Sequence, residues 1–537
     1  MKKRWQRWIA LVLSGMLCLS MIGCGKDETT EEQDNQTEQG TLQETTPAES
    51  ELASDGIGTE ENGSGTETGS ITPDMQPVAQ ATTLQDVWLN ASGAPTLTAS
   101  AAVLVEPETG TILFEKNMKE KMYPASMTKI LTALVVMDYF QPDELITVGT
   151  EINEVSLDSS KAGHVVGETL TIENAIRGLI IPSGNDSANV LAAATARKAE
   201  GDDTMSFARC EAVFTDMMNQ KAAELGAVNT HFSNAHGYHD ENHYTCAYDM
   251  ALFSIAFMQN ETLAQIASEQ SFSGDGANGM FANDTTVTTQ EYHWISHNLL
   301  ITDNEYQYAY ANGIKTGFTD EAGECLAASA EKDGTQLISV IFHTEDPARW
   351  QESTSLLEYG FNQYARVELT AAGATIQEIP LTKHNKNQGD TIALVYPDAM
   401  VAYLPTNAVN DVTMSVEIMD AYRVEEKDGT VKVKAPIAKG DAVATVTYTV
   451  NGTVVAQKTA YAGADIEKGT IFNTIQYFFQ SLFANLFSLR GLITLFVVLV
   501  ILAGIYLILR RMRYGRHHRR NAYTFKSQSR RRRRRWK

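Results

Sequence analysis

Three short motifs carry the residue types that acyl chemistry needs. The first is Ser126-Met127-Thr128-Lys129. It opens an apolar-periodic run from Met127 to Phe140 that predicts a helix, with Ser126 at its N-terminus after Pro124-Ala125. Residues three apart share a helix face, so hydroxyl and amine stand one turn from each other. A serine hydroxyl needs a base before it can attack a carbonyl. A lysine amine among apolar neighbours loses its preference for the charged form and can act as that base. The helix start also offers backbone N–H groups and a positive dipole end to a developing oxyanion. A serine cap beside a solvated lysine has the same sequence, so the motif is weak alone. It recurs at Ser329-Ala330-Glu331-Lys332, which ends a strand-like run and enters the Asp333-Gly334 turn. No helix positions that lysine, and the second copy reads as coincidence.

The second motif is Ser183-Gly184-Asn185, after Leu179-Ile180-Ile181-Pro182 and before a helix predicted from Asp186. The spacing recurs at Ser187-Ala188-Asn189 and Ser296-His297-Asn298, but only Ser183 lies on a Pro/Gly-marked loop. Ser187 falls within the predicted helix, where its hydroxyl is expected to bond back to the helix backbone. Capping is the alternative role for Ser183 and Asn185. The third motif, Lys315-Thr316-Gly317, occurs once and ends a strand-like segment before Phe318-Thr319. On an edge strand a Lys and a Thr can bind a carboxylate, and a glycine lets a ligand backbone come close.

Other clusters suggest other chemistries. His231, His236, His239 and His243 lie within Thr230–Tyr244, with Asp240 and Glu241 between them. These are zinc-binding residue types. The stretch is rich in turn residues and lacks the H-E-x-x-H helix of a metallopeptidase, so no metal is expected. Cys210, Cys246 and Cys325 have no metal-like spacing and read as buried thiols, although Cys325, one hairpin from Lys315, is a candidate reactive thiol near the site. Five cysteines, two of them in the N-terminal apolar stretch, exclude a disulfide scaffold.

The elements that would position the motifs follow from pattern. Ala101–Val105 and Thr111–Phe114 flank a Pro107-Glu108-Thr109-Gly110 turn and predict a hairpin. Helical periodicity recurs over 171–181, 186–200, 205–225 and 247–258. Strand-like runs return at 309–316, 324–330 and 336–343. A hairpin first, helices in the middle and strands last predict an α+β domain whose first and last strands share one antiparallel sheet. From about 367 to 466 the chain is rich in Val, Thr and Ala, with Gly389-Asp390, Asp428-Gly429, Gly440-Asp441 and Asn451-Gly452 turns. It predicts a separate small all-β domain.

Charge and hydropathy place the two ends of the 537-residue chain. The net charge is −23, yet the last 28 residues hold 14 Lys/Arg and no acid, and the first 25 hold four Lys/Arg and no acid. The middle is therefore strongly acidic, which excludes nucleic-acid binding there, since phosphate contacts need clustered cations. Lys2, Lys3, Arg4 and Arg7 before an apolar run to Ile22 predict an export signal over 1–24. Met21-Ile22-Gly23-Cys24 resembles a lipoprotein cleavage box, with Met where Leu is usual. Residues 25–90 are acidic and poor in large apolar side chains, which predicts a disordered linker. The apolar residues within 470–490 have helical spacing and predict an amphipathic helix, either interfacial or packed against the preceding domain. Residues 491–509 carry no charge and are long enough to span a bilayer. The basic 510–537 tail that follows predicts a cytoplasmic end, with the bulk of the chain outside the cell membrane.

Taken in order, the three motifs match the S-x-x-K, S-D-N and K-T-G set. With Tyr123-Pro124-Ala125-Ser126-Met127-Thr128-Lys129, Pro182-Ser183-Gly184-Asn185-Asp186 and Gly313-Ile314-Lys315-Thr316-Gly317-Phe318-Thr319, the chain resembles the serine-type D-alanyl-D-alanine carboxypeptidases, the low-molecular-mass penicillin-binding proteins. Ala322-Gly323-Glu324-Cys325-Leu326 looks similar too. The resemblance covers about 95–366. It implies a β-lactamase/transpeptidase-like domain, followed by the all-β domain and a transmembrane helix. It implies Ser126 as acylated nucleophile, Lys129 as its base and Ser183 as proton relay. Asn185 would bind the substrate amide, Lys315 and Thr316 the terminal carboxylate along the strand through Gly317, and the N–H groups of Ser126 and Phe318 the oxyanion. The implied partners are the D-Ala-D-Ala end of a peptidoglycan stem peptide, β-lactams and the membrane. No cofactor is implied, and the role would lie in cell wall biogenesis and remodelling. A β-lactamase would share two motifs, but Gly184 stands where that family usually has Asp. A non-catalytic wall-binding protein has no need of all three motifs intact.

Overall fold

A computed structural model of the chain describes residues 84–85 and 91–532. The expected signal at 1–24, Cys24, most of the stretch assigned to the linker and the last five residues lie outside the described residues. Leu84 corrects the linker boundary. It is buried in the main core, and the Gln85 N–H donates to the Gly110 carbonyl (2.8 Å). One leucine within an acidic stretch is invisible to composition but finds an apolar partner face.

The first domain is built on a five-stranded sheet. Its strands are β1 (Ala101–Glu106), β2 (Thr111–Lys116), β7 (Ala311–Thr319), β8 (Gly323–Lys332) and β9 (Thr335–Thr344), in spatial order β2-β1-β9-β8-β7, all antiparallel. The β1–β9 register sets Ala101 opposite Phe342 and Val105 opposite Ile338, so the first and last strands meet in one sheet. Two hairpins, β3 (Leu145–Thr147) with β4 (Thr169–Thr171) and β5 (Ser271–Asp275) with β6 (Glu291–Ile295), lie apart from it.

Both faces of this sheet are covered, which is why β1 reads as an unbroken apolar run. Ala101, Val103 and Val105 point into one core with Ile130, Leu134, Phe214 and Phe253. Ala102 and Leu104 point the other way, to Trp350, Leu356 and Leu357. The first core is filled by α1 (Lys129–Met137), α2 (Ile172–Ile180), α3 (Asn185–Glu200), α4 (Phe207–Glu224), α5 (Ala247–Gln259) and α6 (Glu261–Ser268). The opposite face is covered by α7 (Ala348–Gln363). Periodicity did not reveal α7, because ARWQESTSLLEYGFNQ is mostly polar. Its buried stripe is narrow and includes Gly360, where a Cβ would come within 2.5 Å of Leu337 Cδ1.

The second domain is all β and has its own core around Ile392, Leu394, Val433, Val443 and Val446. Its strands are β10 (Tyr364–Thr370), β11 (Thr375–Thr382), β12 (Thr391–Val395), β13 (Met400–Pro405), β14 (Val412–Ile418), β15 (Arg423–Glu425), β16 (Val431–Lys434), β17 (Ala442–Val450) and β18 (Thr453–Ala462). Seven of them form a sheet in the order β14-β17-β18-β12-β11-β16-β15, while β10 pairs with β13. Helix α8 (Ile471–Phe487) follows, capped by Thr470, whose side chain accepts from the Asn473 N–H. After Ser488, α9 (Leu489–Arg532) carries the apolar Arg490–Arg511 segment, long enough to cross a membrane. The helix does not stop at Leu509 but continues through the basic segment to Arg532.

Candidate active site

The turn that presents Ser126 is tighter than a helix start. Ala125–Thr128 is a single 3₁₀ turn, and the α-helix begins at Lys129. The helix expected over 127–140 is thus shorter at both ends, and Ser126 lies in the turn before it. Ala125 sits at φ 45°, a left-handed conformation unfavourable for a residue with a Cβ. Three contacts hold it there. Thr128 Oγ1 donates to the Ala125 carbonyl at 2.8 Å. Gly237, itself at φ 87°, lies so close that a Cβ would fall 1.8 Å from the same oxygen. Gly317 of β7 packs on the other side, where a Cβ would come 2.7 Å from the Pro124 carbonyl. The glycine of Lys315-Thr316-Gly317 therefore answers to a close approach by the chain itself, where the sequence suggested approach by a ligand.

Lys129 is fully buried, and its Nζ has three neighbours: Ser126 Oγ at 2.8 Å, Asn185 Oδ1 at 2.7 Å and the His236 carbonyl at 2.9 Å. Burial holds its pKa well below the usual lysine value, the Lys315 charge lowers it further, and Asp186 opposes. The two oxygens of Asn185 and His236 can only accept. A neutral amine has two N–H bonds and one lone pair. In the neutral amine both N–H bonds can go to these oxygens, which leaves the lone pair for Ser126 Oγ–H.

Ser183 and Asn185 come from the α2–α3 loop. Ser183 is at φ 60° and 3% exposed, and Asn185 is the first residue of α3. The next residue, Asp186, fixes the loop in front of them. Its carboxylate accepts from the N–H groups of Ala162 (2.7 Å), Gly163 (2.8 Å), His164 (3.2 Å) and Ser187 (3.0 Å). Ser187 corrects its expectation: its hydroxyl lies 2.8 Å from His164 Nε2 and not on the helix backbone. The tertiary partner prevails because His164 is brought to it by that loop.

Ser126, Ser183, Asn185, Thr316, Gly317 and Phe318 all line one cleft of about 740 Å³. Lys129 and Lys315 sit behind its surface. Lys315 is 2% exposed, with Nζ 3.2 Å from the Thr316 carbonyl and 3.4 Å from Thr316 Oγ1. Burial, then the Arg349 charge, brings its pKa down to about 7. The Phe318 side chain is 57% exposed at the mouth. Sequence reasoning missed three parts of this wall: Arg349 at the start of α7, His297, and Asp158–Ser160. Arg349 pairs with Glu324 and stands over the Trp350 ring. His297, whose pKa is lowered to about 4 by burial and then by Lys315, stands in the sequence only within the Ser296-His297-Asn298 recurrence. No local signal marks Arg349.

The histidine cluster does not converge. His243 bonds Thr128 Oγ1 (2.7 Å), His231 bonds the Asn242 carbonyl, and His239 stands edge-on to Tyr123 and 3.8 Å from Glu321. Among the described residues no three metal-ligating side chains gather. Cys325 lies opposite Gly317 across the β7–β8 pair but is fully buried. Burial pushes its thiol up to about 12, which removes the reactivity expected from its position in the sequence. The second Ser-x-x-Lys copy is likewise explained: Ser329 is buried in β8, and Lys332 lies over the Tyr310 and Phe361 rings.

A serine hydroxyl against a buried amine, a second buried lysine within β7 and an open cleft are an arrangement that could carry covalent acyl transfer to a substrate bearing a carboxylate. Known proteins agree with that class. Residues 89–346 match the family model described as D-alanyl-D-alanine carboxypeptidase, and residues 364–468 match the C-terminal domain of penicillin-binding protein 5. Residues 89–346 thus form a domain of the D-alanyl-D-alanine carboxypeptidase family. It is 29% identical over 375 residues to the D-alanyl-D-alanine carboxypeptidase DacF of Bacillus subtilis, covering 69% of this chain and 86% of that one. It is 25% identical to DacA of Escherichia coli strain K12, covering 74% and 90%. Among solved structures it resembles penicillin-binding protein 5 from Haemophilus influenzae, at 26% identity and TM-score 0.56, covering 70% and 99%.

Proposed function

We propose that the protein is a serine-type D-alanyl-D-alanine carboxypeptidase that trims peptidoglycan stem peptides during cell wall biogenesis and remodelling. The observation that carries this reading is the Lys129 amine, buried and 2.8 Å from Ser126 Oγ at the cleft floor. Lys129 takes the Ser126 proton as Oγ attacks the carbonyl between the two D-alanines. The new C–O bond forms, and charge collects on the carbonyl oxygen, which the N–H groups of Ser126 and Phe318 receive. The C–N bond then breaks, and the departing D-Ala nitrogen takes the proton back from Lys129, with Ser183 as relay. Water attacks the ester carbonyl as Lys129 accepts its proton, the acyl C–Oγ bond breaks, and Oγ takes that proton back from Lys129, which restores Ser126 and the neutral amine. Asn185 holds the substrate amide, and Lys315 with Thr316 holds the terminal carboxylate. β-Lactams present a strained amide to the same serine and leave a slow ester.

The same reading orders the rest of the chain. An export signal and an acidic linker precede the catalytic domain outside the membrane. The all-β domain follows, α8 lies in the interface, Arg490–Arg511 spans, and the basic tail meets anionic lipid on the cytoplasmic side. Release of D-Ala from an acyl-D-Ala-D-Ala tripeptide tests the assignment. The wild-type chain should release it, and Ser126→Ala should not. Release that continues in Ser126→Ala would remove Ser126 as nucleophile.

A further inference from the structure

The sequence singles out a histidine cluster that the proposed reaction leaves without a role, and His243 within it touches the nucleophile turn. His243 is 2% exposed. Its Nε2 lies 2.7 Å from Thr128 Oγ1, and its Nδ1 lies 3.1 Å from the Ser233 backbone nitrogen. These partners fix the tautomer. A backbone N–H can only donate, so Nδ1 is an acceptor without a proton. Thr128 has one hydroxyl proton and gives it to the Ala125 carbonyl at 2.8 Å. The hydroxyl therefore accepts from His243 Nε2–H. A directed chain runs Ser233 N–H to His243, His243 to Thr128, and Thr128 to the Ala125 carbonyl. It ends on the left-handed residue that precedes Ser126.

We propose that His243 is a positioning residue for the reaction: through Thr128 it holds the Ala125–Ser126 turn in the conformation that aims Ser126 Oγ at Lys129 and the cleft. The same loop grips the site at three further points. The His236 carbonyl accepts from Lys129, the Ala235 carbonyl accepts from Thr132 Oγ1 at 2.6 Å, and Gly237 lies against the Ala125 carbonyl. The 233–243 loop thus fixes base and nucleophile together, which a metal site would not require. Burial, in the main, lowers the His243 pKa to about 3, in keeping with the neutral ring that the hydrogen bonds demand.

The chain matters to rate because Ala125 at φ 45° is conformationally costly and is held by the Thr128 hydroxyl, whose orientation the His243 Nε2–H fixes; without that donor the hydroxyl is free to turn from the Ala125 carbonyl and the turn relaxes. A shift of about 1 Å in a nucleophile costs up to roughly 100-fold in rate. The inference rests on Ser126 being the acylated residue, and the test separates the two. Acylation by fluorescent penicillin is followed in the full chain, resolved into the binding constant and the acylation rate, with melting temperature measured in parallel. His243→Phe fills the space without a donor and is expected to lower the acylation rate about 10- to 100-fold with the binding constant little changed. His243→Gln, whose side-chain amide can donate to Thr128, is expected to recover most of that rate. Thr128→Val should match His243→Phe, Thr128→Ser should match wild type, and the double variant His243→Phe/Thr128→Val should be no slower than either single one. Folded His243→Phe acylating at the wild-type rate, or losses that multiply in the double variant, would overturn the proposal. If His243→Phe does not fold, the Thr128 pair decides: Val impaired with Ser normal supports the chain, and Val normal refutes it. Failure of the wild type itself to label would instead remove the Ser126 assignment.

Discussion

In the proposed mechanism the pH dependence of turnover is set by two buried lysines that must hold opposite charge states. Lys129 acts as a base only when neutral, and Lys315 holds a carboxylate only when charged. Burial brings Lys315 down to about 7. In the free enzyme its charged fraction is then about one half at pH 7 and about one hundredth at pH 9. Since kcat/KM reports the free enzyme, it should fall roughly 50-fold between pH 7 and pH 9, close to tenfold per unit at the upper end. The acid limb marks Lys129 taking up a proton and lies well below the ordinary lysine range. A bound carboxylate favours the Lys315 ammonium, so the alkaline limb of kcat should lie higher than that of kcat/KM. Lys315→Arg retains charge across this range and should flatten the alkaline limb. The assay is D-Ala release from an acyl-D-Ala-D-Ala tripeptide at low substrate, from about pH 5 to about pH 10, with the C-terminal amide as a substrate lacking the charge. A wild-type kcat/KM constant within twofold from pH 7 to pH 9, or an equal fall with the amide or in Lys315→Arg, would refute the reasoning.

Three other outcomes follow from the same geometry. Lys315→Met should abolish carboxylate recognition yet raise the melting temperature near pH 6. The folded state holds Lys315 below its unfolded pKa, so its burial destabilises fully below about pH 7 and progressively less up to about pH 10.5; the gain, on the order of a few kcal/mol at low pH, should shrink over that window. Gly237→Ala places a Cβ 1.8 Å from the Ala125 carbonyl at a positive φ and should cut penicillin labelling at least tenfold while lowering stability by about 2 kcal/mol or more; normal labelling would show that the turn is freer than described. In the native protein a thiol reagent should leave Cys325 unmodified and labelling at Ser126 intact, whereas after denaturation Cys325 should react; modification of Cys325 in the folded chain would contradict its burial.

What the sequence makes legible here is local. Ser126 and Lys129 are three apart, and that spacing survives the change from the expected helix to a 3₁₀ turn joined to α1, because both forms bring the third residue back to one side. The strand that ends at Thr344 shows as an apolar run because the sheet is covered on both faces, whereas β7, ANGIKTGFT, shows none and continues past Gly317 to Thr319. Non-local packing is hidden. Arg349 reaches the cleft only because α7 crosses the sheet face, and α7 itself lacks a broad apolar stripe. The left-handed Ala125 has no signature of its own, since a glycine or asparagine would usually mark such a residue; its support is spread over Thr128, Gly237 and His243. The reactivity suggested for Cys325 fails for a similar reason. Closeness to Lys315 along the hairpin is readable, while enclosure by β8, β9 and the 122–124 segment is a property of the fold.

The central claim is that the Ser126 hydroxyl becomes an ester. Peptide mapping by mass spectrometry after brief exposure to benzylpenicillin tests it most directly. The penicilloyl mass should be found on the peptide containing Ser126 and be absent from the same peptide of Ser126→Ala. An adduct on Ser183 or elsewhere, or none in a protein that still releases D-Ala, would contradict the account.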